Sequence, residues 1–134
     1  METAAKVLIV GGVLNLALAF VLGFILSNSR LKEPAKPQHY LNLAHRASLW
    51  EGFMLLGLVF AVELSDLSSG LETLAAILLV ASSAFQDGSS VLNWLQGVGD
   101  EFAERSPGFY LATINAILAT TGLAVLIVGV FRGL

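Results

Sequence analysis

Residues 5–27 read AKVLIVGGVLNLALAFVLGFILS, a run with one charge, Lys6, and no Pro. A helix that spans a bilayer needs roughly 20 mostly apolar residues, and this stretch supplies them. Its apolar part continues through Leu26, beyond Ala17 and Ala19, which could mimic a cleavage site. A cleavable signal has a shorter apolar core, so the segment is expected to be a retained helix. Three further stretches extend the pattern: 43–64, 71–95 and 108–131. The third is clearly apolar only to Phe85 and must run on through Gln86 to Leu95 if it is to span.

Composition agrees. Of 134 residues, 56% are hydrophobic and 13% charged, with a mean hydropathy of +0.80. Ordinary soluble domains are about a quarter charged. Disorder is excluded, because it needs low hydrophobicity with high net charge. A net charge of −3 gives no surplus of Lys and Arg, so no nucleic-acid partner is expected. There is no Cys, which removes disulfides, thiolate metal sites and thiol nucleophiles. Two His are too few for an all-protein zinc site. No phosphate-binding Gly loop or dinucleotide fingerprint occurs, since Gly11-Gly12 lies inside an apolar run and not after a strand. The expectation is an all-α integral membrane protein, one domain over 1–134, folded as an up-down bundle of four transmembrane helices in the lipid bilayer.

The connections carry the polar residues. Segment 28–42 holds Arg30, Lys32, Lys36, Pro34 and Pro37, and reads as an extended polar loop at a membrane surface. Segment 65–70 is short and acidic-polar, which makes a tight hairpin. Segment 97–107 contains Asp100, Glu101, Glu104 and Arg105. Five of the seven Lys and Arg lie in or beside 28–42 and 97–107, against Lys6 and Arg132 at the other end. Positive charge favours the cytoplasmic side, so these two loops are expected there, with both termini outside, in a bacterial inner membrane.

Small residues form stripes. Gly11, Asn15, Ala19, Gly23 and Ser27 recur every fourth residue, and Ala112, Asn115, Ala119, Gly122 and Gly129 share a face. Such stripes let helices approach closely, and Asn15 and Asn115 within them read as interhelical glue, each bond worth about 0.6 kcal/mol, the alternative being that one of them lines a cavity. The stripes exceed what one bundle needs, which points to a homo-oligomer. In the third stretch Ser82, Gln86, Ser90, Asn93 and Gly97 form a polar stripe, flanked by Ser83, Asp87 and Trp94. An Asp near a helix centre costs about 2.5–3.5 kcal/mol on insertion scales, so this face turns inward. Two readings stand: a polar cavity beside a continuous helix, which we favour, or a turn at Asp87-Gly88.

The second stretch opens with LAHRASLWEGFM, residues 43–54. His45, Ser48 and Gly52 share a face at i, i+3 and i+7. Glu51 is an intramembrane carboxylate, a functional candidate by default, about 9 Å further along the axis than His45. Glu63 and Asp66 read as a solvated helix end. A neutral imidazole can ligate haem iron if a slot lies beside it, and Ser48 and Gly52 could leave one. It could also carry protons near neutral pH, or sit at the headgroups and bind water. A lone His is no cofactor motif.

The same segment resembles the start of helix two in the styrene oxide isomerases. That family has an Ala-His pair there, with Asn-Gly six and seven residues after the His. Ala44-His45 and Gly52 match, while Glu51 stands in place of the Asn. Asp87-Gly88 is similar to an Asp-Gly on the family's third helix. In length and layout the chain is also similar to hydroxylaminobenzene mutase, another small four-helix membrane isomerase. The resemblance implies a haem b cofactor, a trimer with haem between neighbours, His45 as the axial metal ligand, and Glu51 and Asp87 on the substrate side. The family's catalytic Tyr on helix three has no counterpart, since Tyr40 and Tyr110 lie elsewhere, which points away from styrene oxide itself.

The expected function is a haem b membrane isomerase that rearranges a small apolar oxygen-bearing substrate, of epoxide or hydroxylamine type, by Lewis-acid catalysis. Glu51, Asp87 and Asn93 are the candidate catalytic residues. His45, Ser48 and Gly52 are the candidate cofactor-binding residues. The alternative is a non-enzymatic accessory subunit, or a small proton-coupled carrier using Glu51.

Overall fold

The computed structural model describes residues 1–134, and the chain is 84% helix with no strand. Four long helices run in order, α1 (Thr3–Lys32), α2 (His39–Glu63), α3 (Ser69–Leu95) and α5 (Pro107–Gly133), with a single short turn of helix, α4 (Glu101–Glu104), before the last. α1, α3 and α5 are each long and apolar enough to cross a membrane. α2 is long enough, but His45, Arg46 and Glu51 crowd its first half and keep it out of that group.

Helix ends differ from the sequence expectation where charge was taken for loop. α1 runs on through Arg30 and Lys32, whose positive charges suit the negative end of a helix. α2 begins at His39, so only residues 33–38 stay outside helix, the segment that contains Pro34 and Pro37. Lys and Arg are good helix formers and only Pro breaks the backbone ladder. α3 runs unbroken through Asp87-Gly88. The turn comes at Gly97, with φ +65°. α4 was not expected. Asp100 caps it, accepting from the Phe102 and Ala103 N–H groups, and Ser106 then caps α5, with Pro107 in its first turn.

α1 packs most closely on α2, and α3 on α5, while α1 and α2 both also touch α3. Close approach uses glycine. A Cβ on Gly12 would meet the Gly52 carbonyl at 3.0 Å, and one on Gly122 the Ala75 carbonyl at the same distance. The small-residue stripes are therefore taken up largely within the chain. At one end Glu2, Val62, Glu63 and Glu72 gather, and the Asp66 N–H donates to the Gly129 carbonyl, so both termini lie at that end.

The core is not continuous. One apolar cluster joins Leu8, Leu55, Val62, Leu79 and Leu126, and a second joins Leu22, Leu26, Leu41 and Ala44. Between them, on three helices in turn, lie the buried polar residues Asn15, Ser48, Ser83 and Asp87. Outside, large apolar side chains are bare, among them Phe20, Phe24, Trp50, Phe60 and Phe131.

Candidate functional site

His45 sits in the second turn of α2 and reaches across to α1. Its Nδ1 lies 2.8 Å from the Ala19 carbonyl oxygen. A carbonyl only accepts, so Nδ1 carries a proton, and Nε2 is the ring nitrogen left outside that bond. The ring packs against Gly23, where an added Cβ would stand 3.0 Å from Cε1. It borders a groove of about 260 Å³ shared with Phe20, Gly23, Phe24, Leu26 and Ser27. No three His, Asp or Glu side chains cluster as a metal site.

The second feature is the polar layer. Ser48 is fully buried and its hydroxyl donates to Asp87 Oδ1 at 2.6 Å, with the Ala44 carbonyl 2.9 Å away as a second acceptor. Asn15 Nδ2 donates to Ser83 Oγ and to the Gly11 carbonyl, each at 2.9 Å. Glu51 stands near Asp87, and its Oε2 is buried with no hydrogen-bond partner. A cleft of about 400 Å³ opens between α1 and α3, with Asn15, Ser83, Asp87 and Gly88 among its walls.

The candidates do not all converge. His45 and Gly52 face α1, but the space beside Gly52 is filled by Leu16 and the Gly12 backbone, so it forms no cofactor slot. Ser48 faces α3 and holds Asp87, away from the His45 groove. Glu51 lies near Asp87, but no hydrogen bond joins them and Glu51 is not part of the α1–α3 cleft. Asn93 stands apart, six residues beyond Asp87 or about 9 Å along α3. It donates to Glu101 Oε2 and accepts from Ser106 Oγ, both at 2.7 Å, and so ties α4 and α5 to α3.

Sequence reasoning read Asn15 and Asn115 as glue without placing their partners. Both bind α3, Asn15 at Ser83 and Asn115 at Gln86 Oε1, the latter at 2.8 Å. Ala19 and Gly23 entered only as members of a stripe, since nothing in the sequence sets the register of α1 against α2. His39, expected in a loop, lies exposed in the first turn of α2 with its ring edge-on to Tyr40. Compared with family models, curated proteins and solved structures, the chain matches none.

Proposed function

We propose that this chain is a haem b isomerase of the bacterial inner membrane, acting on a small apolar oxygen-bearing molecule. In this reading α1, α2, α3 and α5 cross the bilayer as an up-down bundle, with 28–42 and 97–107 on the cytoplasmic side and both termini outside. The observation that carries it is the His45 ring. A metal-binding His characteristically donates its other N–H to a carbonyl or carboxylate, which fixes the tautomer and aims the free nitrogen. His45 does so to Ala19, packs on a glycine and borders an open groove walled by two Phe rings. One such nitrogen is all that a haem iron requires of the protein on one side.

His45 would hold the iron through Nε2. The bound haem would supply a Lewis acid that polarises the substrate oxygen. Glu51 and Asp87 place two carboxyl groups in the same part of the bundle, where they would favour a developing cation over its neutral precursor. Ser48 fixes the Asp87 rotamer from the opposite helix. The rearrangement moves atoms within one molecule, so no cosubstrate motif is required.

The two parts lie on different flanks of α1. At about 100° per residue, Phe24 in the His45 groove and Asn15 in the cleft are half a turn apart. A second copy could bring the groove of one chain against the polar layer of its neighbour. That supports a homo-oligomer, and the resemblance favours a trimer.

The test is the visible spectrum of the protein purified from haem-supplemented cells. A Soret band that disappears in His45→Ala is expected. A protein that stays colourless after supplementation overturns the proposal.

A further inference from the structure

The cleft between α1 and α3 has an unbalanced hydrogen-bond inventory. Asn15 is 7% exposed, and its Nδ2 stands 2.9 Å from the Gly11 carbonyl. A carbonyl cannot donate, so the nitrogen and not the oxygen occupies that place. Asn15 Oδ1 is thereby left buried with no donor. Asp87, 4% exposed, accepts from Ser48 at Oδ1, and its second oxygen, which takes no bond from the chain, is not fully buried. Both residues border the same cleft, whose outer wall is Leu14, Leu18, Val80 and Val91.

We propose that this cleft binds a small apolar molecule by a hydrogen-bond-donating end, a hydroxyl or an amine, with Asn15 and Asp87 as the acceptors. The volume of about 400 Å³ suits one aromatic ring or a short alkyl body. The apolar wall admits such a molecule sideways from a lipid phase. A buried acceptor with no donor, as Asn15 Oδ1 is, is costly in apolar surroundings, and a ligand that brings O–H or N–H removes that cost. A ligand with lone pairs alone, such as an ether or an epoxide, would set acceptor against acceptor. Sites built around a hydrogen bond reject analogues that lack the group far more strongly than apolar pockets reject a change in size. The inference rests on reading the cleft as the substrate's place, and it narrows the substrate to one that carries a donor.

The test uses the full chain in lipid nanodiscs and two fluorinated probes, 4-fluorobenzyl alcohol and its methyl ether, followed by fluorine NMR. Protein-free nanodiscs give the partition baseline. The alcohol is expected to bind at least about tenfold more tightly than the ether. Asn15→Leu should weaken binding of the alcohol and leave the ether unchanged, with the remaining preference for the alcohol held by Asp87, and Leu18→Trp, on the apolar wall, should abolish binding of both. Equal binding of the two probes by the wild-type protein overturns the proposal. So does binding no greater than the baseline, which would mean that a lipid acyl chain alone fills the cleft. If Asn15→Leu does not assemble, Leu18→Trp decides, and unchanged binding in that variant rejects the cleft. The readout needs no pigment, so its failure leaves the Soret result standing, and a colourless protein leaves this result standing.

Discussion

The Ser48 hydroxyl on α2 meets the Asp87 carboxylate on α3 at 2.6 Å, in a layer that separates two apolar clusters. α3 is the hub of that layer. It receives α2 through Ser48–Asp87, α1 through Asn15–Ser83, and α5 through Asn115–Gln86 and the Ser89 hydroxyl, which donates to the Gly108 carbonyl. Apolar packing alone would let these helices slide or rotate. Discrete polar pairs fix their register, because a slip leaves buried groups unpaired.

Removing one side of the Ser48–Asp87 pair should therefore cost more than removing both. Ser48→Ala leaves a buried carboxylate oxygen without its donor and is expected to destabilise by about 1–3 kcal/mol. Ser48→Ala combined with Asp87→Leu should recover part of that loss. The two single changes should show a coupling of about 0.5–3 kcal/mol in a double-mutant cycle. Unfolding in mixed detergent measures it, and strict additivity would mean that the contact does not hold the register.

Much of this was legible in the sequence, and the limits have physical causes. The four apolar runs gave the four long helices, and the polar stripe on 82–97 marked the inward face of α3. The sequence could not separate His45 from Ser48. Both lie on one face of α2, about 60° apart at 100° per residue. The seam between α1 and α3 falls between them, so one reaches Ala19 and the other Asp87. Asn93 looked like part of the Asp87 stripe because the stripe is continuous. Only the fold of 97–107, a glycine turn followed by the capped α4, returns Glu101 and Ser106 to it.

Asn93 gives a way to tell architecture from chemistry. It is fully buried and holds both a charged and a neutral partner. Asn93→Ala should cost about 2–4 kcal/mol, the sum expected for one charge-assisted and one neutral bond. Residues 97–106 should become readily cut by protease. Binding in the α1–α3 cleft should persist in the fraction that remains folded. Loss of cleft binding with stability intact would move Asn93 back among the catalytic candidates.

At the other end of the molecule Glu2 lies beside Glu72, whose carboxyl and charge, with the charge of Glu63, raise the Glu2 pKa above its ordinary 4.5. A carboxyl whose pKa is raised on folding holds its proton more tightly in the folded state. Its favourable contribution is present in full below the ordinary value and is lost as pH rises through the raised one. Glu2 is exposed, so the effect is local. The first turn of α1 should exchange its amide hydrogens faster, relative to intrinsic rates, as pH increases from the acid side towards neutral. Glu2→Gln should flatten that dependence. A profile unchanged by Glu2→Gln would assign the effect to other groups.

The placement of the His45 ring yields the sharpest expectation. The ring is aimed by two features of α1, the Ala19 carbonyl that accepts its Nδ1 proton and the absence of a side chain at Gly23. Gly23→Val would put branched carbon where the ring now lies, and it must turn away or lose its hydrogen bond. The change touches neither ring nitrogen chemically, so it tests geometry rather than donor identity. If haem is held as proposed, Gly23→Val should lose most of the pigment, as His45→Ala should, while the helix content of both variants is retained. His39→Ala should keep its Soret band, because that ring is exposed and set against Tyr40. Gly23→Ala should fall between, since a single Cβ 3.0 Å from Cε1 asks the ring to yield by only a few tenths of an ångström. The graded series of glycine, alanine and valine at one position, read as haem bound per chain, would show that α1 positions the ligand of α2. A flat series beside a colourless His45→Ala would mean that the ring finds the iron without help from α1.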